Sequence, residues 1–404
     1  MHRIPRFVRW ICTGLLWTVV ALCLAVTVIP QYLDRVYYRG PPNAHFDGQR
    51  FFNPDGDDDT LKISAGQSRW GFIWRQVFGD PTKPVWTDHV AVTPGKPAER
   101  VTGEQMVATW VGHATMLVQA DGVNILTDPV WSDTAGPFGV GPRRVAEPGI
   151  RFEDLPKIDL ILVSHNHYDH MDVATLKKLW ARDRPRIVTS LGNDAILRAA
   201  GIEAVALDWG QENPLRLCIG EVVPPGGCGS PSVVVTRSHH WDSRWFADRN
   251  RALWSSFVVK LPHGNFFFSG DTGLGDGKWP AEAAAYGPIR LAAIPIGAFR
   301  FTDGQMGSGS HVGPGGAIQI WNGLGRPFAI PIHWGTFRLS WEGYDTPPKM
   351  LRAMLRCAGS DSGRFAPARI GVAVVVPPLG TPPPAPDFAA LAECEKAGAF
   401  HALR

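Results

Sequence analysis

The stretch Ser164–Asp172, SHNHYDHMD, decides how this chain is read. It follows Asp159-Leu-Ile-Leu-Val163, a near-continuous apolar run of the kind found in a strand covered on both faces. Within it stand His165, His167, Asp169 and His170, spaced H-x-H-x-D-H. Residues two apart in an extended segment project to one side, which pairs His165 with His167. Asp169 and His170 come where the chain turns into VATLKKLWARD, a run with helical spacing. Such a loop can give two ligands to one metal ion and two to a neighbour about 3.5–4 Å away. Imidazole and carboxylate suit zinc; more carboxylate also admits iron or manganese. One of these histidines alone would read as structural. All four groups together after a buried strand read as a metal site.

Each ion needs further ligands, and three other strand ends carry candidates. TRSHHW brings His239 and His240, FFFSGDTG brings Asp271, and IPIHWG brings His333. A carboxylate can bridge two cations, and Asp271 is the expected bridge because Gly270 and Gly273 let the backbone pass close to the ions. Alone, Asp271 would read as a turn cap and His333 as a buried histidine beside Trp334. Their joint occurrence argues for ligands.

The surrounding pattern gives the fold class. From Gln105 the chain reads as short strands, VATWVGHATMLVQADGVNILTDPVW, with a hairpin signal at Asp121-Gly122. RPRIVTSL, PSVVVTRSHHW, LWSSFVVKL, GNFFFSGD, LAAIPIG and FAIPIHW read as strands; NDAILRAAG and HVGPGGAIQIWNGL read as helices. Strands interleaved with helices predict α/β with both sheet faces covered. At 404 residues the chain can bury a large core. A net charge of +3, with no Lys/Arg block, argues against a nucleic-acid partner.

The two ends read differently. Residues 1–9 are a basic flank with Arg3, Arg6 and Arg9, and residues 10–30 are an apolar run long enough for a hydrocarbon core of about 30 Å. The arginines before it and the large domain after it predict a single-pass anchor, N-terminus cytoplasmic and domain extracytoplasmic (periplasmic). A cleaved signal peptide is the rival; its apolar region is usually about 7–15 residues, and VTVIPQYLD has no clean A-x-A site. Residues 31–104 read as an aromatic and Pro-rich extension packing on the domain, with a short amphipathic helix near Arg69–Phe78 whose Trp70, Phe72, Trp74 and Phe78 face either the core or a membrane. The α/β domain is expected over 105–376, and residues 377–404 as a Pro-rich surface arm ending in FAALAECEKAG. Cys12 and Cys23 lie in the anchor; Cys218, Cys228, Cys357 and Cys394 are compatible with disulfides whose pairing the sequence leaves open. No C-x-x-C occurs, so a thiolate zinc site is not expected.

The blocks WVGHATMLV (110–118), ILTDPVWS (125–132), GPRR (141–144), ILVSHNHYDHMD, HHW, FFFSGDTG, LAAIPIGAF, HVGPGGA and IPIHWGTF together resemble the metallo-β-lactamase superfamily. RFFNP (50–54) adds to a resemblance, over Arg50 to Phe337, to its phospholipase D branch that hydrolyses N-acylphosphatidylethanolamine. The resemblance implies an αββα sandwich and two divalent ions, zinc by default. It implies that His165, His167 and His240 hold the first ion, that Asp169, His170 and His333 hold the second, and that Asp271 bridges. It selects His240 over His239 because the family histidine directly precedes Trp. It further implies that His311 lies near a substrate phosphate, and that His113 supports the site without being a ligand. Tyr168, at a variable position, is expected to shape the pocket. The chain departs from the branch in a short basic run after GPRR, in Gln211–Ser230, and in its anchor.

The implied chemistry is attack on phosphorus by a water activated between the ions, with Asp169, Asp271 and His311 as the reacting site's own groups. On N-acylphosphatidylethanolamine it would give phosphatidate and N-acylethanolamine. A membrane phospholipid substrate fits the anchor. Another lipid or cell-envelope phosphodiester, or another ester, is the alternative on the same site. A non-catalytic anchored scaffold fits poorly with a filled ligand set. A homodimer is compatible with such a fold and required by nothing in the sequence.

Overall fold

A computed structural model describes residues 5–56, 84, 86–215, 231–245, 247–301, 305–361, 363–400 and 403. The expected helix near Arg69–Phe78 and the segment holding Cys218 and Cys228 lie outside the described residues.

Helix α1 spans Arg6–Leu33. Its segment Arg6–Val28 has a mean hydropathy of 2.3 and buries none of its side chains against the rest of the protein. It is long and apolar enough to cross a membrane, as an anchor or a signal sequence would be.

Six strands follow in the first half of the domain: β1 (Met106–Gly112), β2 (Thr115–Ala120), β3 (Val123–Thr127), β4 (Leu160–Val163), β5 (Arg186–Ser190) and β6 (Val205–Leu207). Asp121 and Gly122 join β2 to β3 with φ of 51° and 74°, the two left-handed residues that a tight hairpin turn requires. β1, β2 and β3 pair antiparallel, then β3 through β6 pair parallel. The β4–β5 and β5–β6 crossovers run through α2 (Val173–Asp183) and α3 (Asn193–Ala199). The second half supplies β7 (Glu212–Pro214), β8 (Ser232–Thr236), β9 (Ser256–Lys260), β10 (Asn265–Phe268), β11 (Ile289–Pro295) and β12 (Phe328–Ile332), with α4 (Trp279–Ala284), α5 (Pro314–Gly323) and α6 (Thr346–Cys357).

The two sheets face each other, and alternation along the strands shows how. Val233 and Val235 point into the inter-sheet core with Phe266, Phe268, Val118 and Leu160. Val234 and Phe267 point the other way, against Trp279, Ile318, Trp321 and Met350 of α4, α5 and α6. Leu176, Leu179 and Leu197 of α2 and α3 cover the outer face of the first sheet. Both faces of the central strands are therefore dry, which is why a strand such as LILV of β4 is apolar at every position. Truncating Phe267 to Ala would remove one sheet-to-helix contact at a cost of about 3–5 kcal/mol. The architecture is the expected four-layer αββα sandwich.

The tail departs from expectation. Ala373–Val376 forms β13 and pairs antiparallel with β1, Met106 opposite Val376 and Thr109 opposite Ala373. The first sheet thus has the order β13-β1-β2-β3-β4-β5-β6, and the second β12-β11-β10-β9-β8-β7. Beyond β13, helix α7 (Phe388–Lys396) buries Leu391 in the α4–α6 layer, and Cys394 is disulfide-bonded to Cys357 of α6. The segment is docked rather than a surface arm. The described part of the extension packs on the domain: Phe46 and Phe51 join Leu253 and Trp254, and the Trp86 indole donates to the Glu342 carbonyl at 2.9 Å.

Candidate metal centre

The loop SHNHYDHMD leaves the end of β4 and enters α2, as its sequence suggested. Its last residue, Asp172, caps α2 by accepting from the backbone N–H of Ala174 and Thr175. The same carboxylate accepts from the N–H of Trp131 and Ser132 at 3.3 and 3.1 Å, tying the β3 exit to the loop. The other polar groups turn toward the ends of β8, β10 and β12.

His165 Nε2 lies 2.8 Å from His167 Nδ1, and His240 Nε2 lies 3.4 Å from that same atom. One donor atom from each of these three residues falls within 4.8 Å of the other two. His113, Asp169, His170 and His333 make a second such group. The Asp271 carboxylate stands between the groups: its Oδ2 is 3.2 Å from His170 Nε2, 3.0 Å from His333 Nε2 and 4.0 Å from His240 Nε2. His239 turns away and pairs with Asp55 at 3.0 Å, so only the second histidine of HHW reaches the cluster.

Hydrogen bonds behind the rings fix which nitrogen faces inward. His240 Nδ1 donates to the Ser310 carbonyl at 2.9 Å, and His333 Nδ1 donates to the Gly297 carbonyl at 2.7 Å. A carbonyl only accepts, so the neutral His240 ring presents its Nε2 lone pair inward, whereas His333 Nδ1 also meets the Ala298 N–H at 3.1 Å. His170 Nδ1 donates to Asp128 at 2.6 Å. The Ser164 hydroxyl also donates to Asp128, at 2.6 Å, and so accepts from His165 Nδ1 at 2.9 Å. One buried carboxylate thereby orients rings in both groups. Asp128 was quoted in ILTDPVWS without a role. Its signal was an acidic residue one step past the end of β3, the same position rule that found Asp271.

Charges and burial agree with a cation-binding centre. Burial disfavours the charged imidazole at His165, His167 and His240, pulling the last two down to about 3. Burial acts the same way on His333, but the Asp271 and Asp169 carboxylates together outweigh it and lift that ring to about 9. His170 is held well above its usual value by Asp271, Asp169 and Asp128 against the same burial. Burial would raise Asp169 and Asp271, yet the facing imidazoles hold both well below the ordinary carboxylate range. His167 Nε2 and Asp271 Oδ1 are buried with no hydrogen-bond partner. Orphaned donors of this kind are costly unless something binds them, and a divalent ion fits that donor set.

The remaining expected residues surround this cluster. His113 Nε2 is 2.9 Å from Asp169 Oδ2, and the residue sits at φ 53° in the turn between β1 and β2. His311 stands just before α5, its Nδ1 3.6 Å from Asp271 Oδ2 and its side chain 15% exposed. Tyr168 donates its hydroxyl to the Arg244 carbonyl at 2.9 Å, and the Arg244 guanidinium lies 4.1 Å over its ring. Both residues line a cavity of about 1000 Å³ that also touches Trp131, Phe138, Arg143 and Lys178. Arg244 donates to the carbonyls of Asn166 and Met171 at 2.9 Å, clamping the metal loop from outside.

Residues 123–334 match the β-lactamase superfamily domain. The chain is 34% identical over 253 residues to an N-acyl-phosphatidylethanolamine-hydrolyzing phospholipase D of Caenorhabditis elegans, covering 60% of this chain and 68% of that one. It is 32% identical over 323 residues to an uncharacterized protein of Mycobacterium tuberculosis, covering 78% of each. It is 30% identical over 237 residues to a metal-dependent hydrolase of Methanopyrus kandleri, covering 57% of this chain and 85% of that one. With its paired sheets and its converging histidines and carboxylates, the chain belongs to the metallo-β-lactamase superfamily, as a metal-dependent hydrolase resembling the phospholipase D that acts on N-acylphosphatidylethanolamine.

Proposed function

We propose that this chain is a membrane-anchored phosphodiesterase of the phospholipase D type, cleaving N-acylphosphatidylethanolamine to phosphatidate and N-acylethanolamine. The observation that carries the reading is the convergence of seven donors on one buried spot. His165, His167 and His240 would hold one ion; Asp169, His170 and His333 would hold a second; Asp271 would touch both. Divalent ions there would supply Lewis acidity, neutralising a phosphodiester and acidifying a water at neutral pH. Zinc suits the imidazole-rich set best.

The chain's own groups do the rest. Ser310 and Gly297 carbonyls, Asp128 and Ser164 hold the imidazole rings from behind, with Nε2 of His165, His170, His240 and His333 facing inward. His113 steadies Asp169 through its 2.9 Å contact. His311 faces the centre from the open side, and burial holds its ring neutral, down to about 3. A neutral imidazole there can donate one hydrogen bond to a phosphoryl oxygen as negative charge builds up. Tyr168, stacked on Arg244, would shape the approach to the centre from the outer side of the 164–172 loop. The α1 helix would keep the site beside a substrate that stays in the bilayer, with the domain on the extracytoplasmic side.

The test is product analysis by mass spectrometry. Metal-loaded protein in mixed micelles with N-acylphosphatidylethanolamine should release phosphatidate and N-acylethanolamine, and metal-stripped protein should release neither. Turnover of other envelope phosphodiesters, with none of this lipid, would overturn the substrate and leave the metal-dependent hydrolase.

A further inference from the structure

We propose that the finger Ser132–Arg144 inserts its tip, Phe138 and Val140, into the bilayer that α1 crosses, so that the cavity beside the metal centre opens against the lipid surface. The proposal rests on reading α1 as a membrane span and adds a second, independent point of contact.

The finger is a built structure. Its limbs are joined by a bridge between Thr134 and Arg143, and by backbone bonds from Ala135 to Pro142 at 3.0 Å and from Arg144 to Asp133 at 2.8 Å. The tip is closed by the Val140 N–H donating to the Pro137 carbonyl at 2.9 Å. Gly136 allows this closure, because a Cβ there would lie 1.8 Å from the Val140 carbonyl oxygen. Phe138 holds φ at 55°, a conformation that a bulky residue rarely adopts. The effect is to aim its ring outward. Phe138 is 92% exposed and Val140 72%, the most exposed large apolar side chains described outside α1. At the finger's base, Arg144 donates to the Val130 carbonyl at 2.7 Å and stacks on Phe337 at 4.9 Å. The tip therefore stands on a fixed base.

The bilayer is the occupant because of how α1 joins the domain. Asp34, the residue after the helix, is ion-paired with Arg251. The Tyr37 hydroxyl donates to Asp248 at 2.7 Å, and the Arg35 guanidinium lies 5.7 Å over Trp245. The same 242–251 segment carries Arg244, which clamps the metal loop and stacks on Tyr168. Direct contacts thus run from the end of the helix to the cavity wall with no slack linker between. The end of α1 is thus tied to the segment that supplies Arg244 to the cavity wall, and the finger forms another part of that wall. Arg143, Arg144, Lys178 and Arg244 line it together with Asp133, Glu147 and Asp172, and its cationic groups suit phosphate headgroups.

The test uses the full chain in nanodiscs of phosphatidylethanolamine and phosphatidylglycerol. Trifluoromethylphenylalanine replaces Phe138 in one sample and Phe388, 37% exposed on α7, in another. Fluorine NMR is recorded with a nitroxide-bearing lipid and, separately, with a water-soluble nickel chelate. The expected result is that the 138 signal is broadened away by the lipid nitroxide and spared by the chelate, with the reverse at 388. A 138 signal broadened by the chelate as fully as the 388 signal would overturn the proposal. So would a 138 signal spared by both reagents, which would mean that a second copy or another protein covers the tip. The readout needs no turnover, so failure of the substrate assignment leaves it intact. Lipid hydrolysis with the tip in water would sink the finger alone.

Discussion

Replacing Asp128 by asparagine should weaken metal binding at both halves of the centre, although Asp128 faces neither ion position. The side chain is fully buried and accepts from His170 Nδ1 at 2.6 Å and from the Ser164 hydroxyl and N–H at 2.6 and 2.7 Å. An asparagine in that place presents an NH₂ to at least one of these donors. With the NH₂ at the Oδ1 position it meets the Ser164 N–H, a donor that cannot turn away; with the NH₂ at the Oδ2 position, which His170 and the Ser164 hydroxyl share, His170 must move its proton from Nδ1 to Nε2, the atom that faces the ion. Ser164 must likewise turn its hydroxyl, which frees His165 to do the same. Losing one charge-assisted bond costs about 1.5–3 kcal/mol. Removing the group behind a ligating histidine typically lowers affinity about 10–100-fold. Ser164→Ala breaks only the neutral branch to His165 and should cost about 1 kcal/mol, or roughly fivefold. The assay is metal content by mass spectrometry after equilibration against a graded series of chelator concentrations, with circular dichroism to confirm folding. A folded D128N protein that keeps wild-type affinity would refute the tautomer argument.

Other outcomes follow from the same contacts. Asp271→Asn should lower metal content from about two equivalents toward one or none; full occupancy with activity lost would contradict the bridging position. His311→Ala should keep its metal while kcat falls about 10²–10³-fold, the usual cost of a lost transition-state donor; loss of metal in that variant would make His311 a ligand. In the metal-free protein, His333 is raised to about 9 by Asp271 and Asp169, so at pH 7 an ion must displace its proton. Metal affinity should therefore rise with pH until about 9, with proton release visible by calorimetry in buffers of different ionisation enthalpy. The sign for folding is opposite. The raised His333 stabilises the metal-free fold fully below its unfolded value of about 6.5 and loses that contribution as pH climbs through about 9, which a melting series would show. Finally, Cys357→Ser should destabilise the domain by about 2–4 kcal/mol by freeing α7 from α6, read as a melting temperature several degrees lower than wild type.

The converging histidines and carboxylates were legible because each follows an apolar run that ends in a turn, and a strand end is a place the sequence marks twice. His165, His167, Asp169 and His170 needed only the pattern after β4, and Asp271 and His333 needed the same pattern after β10 and β12. The choice between His239 and His240 did not follow from spacing, since adjacent residues point to opposite sides. It took the resemblance to select one, and the Asp55 contact accounts for the other. Asp128 was visible as a residue but not as a hub, because its partners come from the neighbouring strand across the β3–β4 pairing. β13 was missed because AVVV runs straight into Pro377 with no turn signal, and its partner β1 lies more than 250 residues earlier. Arg244 carries no local mark at all: its grip on Asn166 and Met171 spans 78 and 73 residues. The span of α1 could be read from composition, whereas its attachment through Asp34 and Tyr37 depended on long-range contacts.

The most direct test of the central claim is to turn over N-acylphosphatidylethanolamine in water enriched in oxygen-18 and weigh both products. Attack on phosphorus at this centre predicts one heavy oxygen in the phosphatidate and none in the N-acylethanolamine. Heavy oxygen in the N-acylethanolamine, in a released fatty acid, or in no product at all would contradict a phospholipase D reaction at this site.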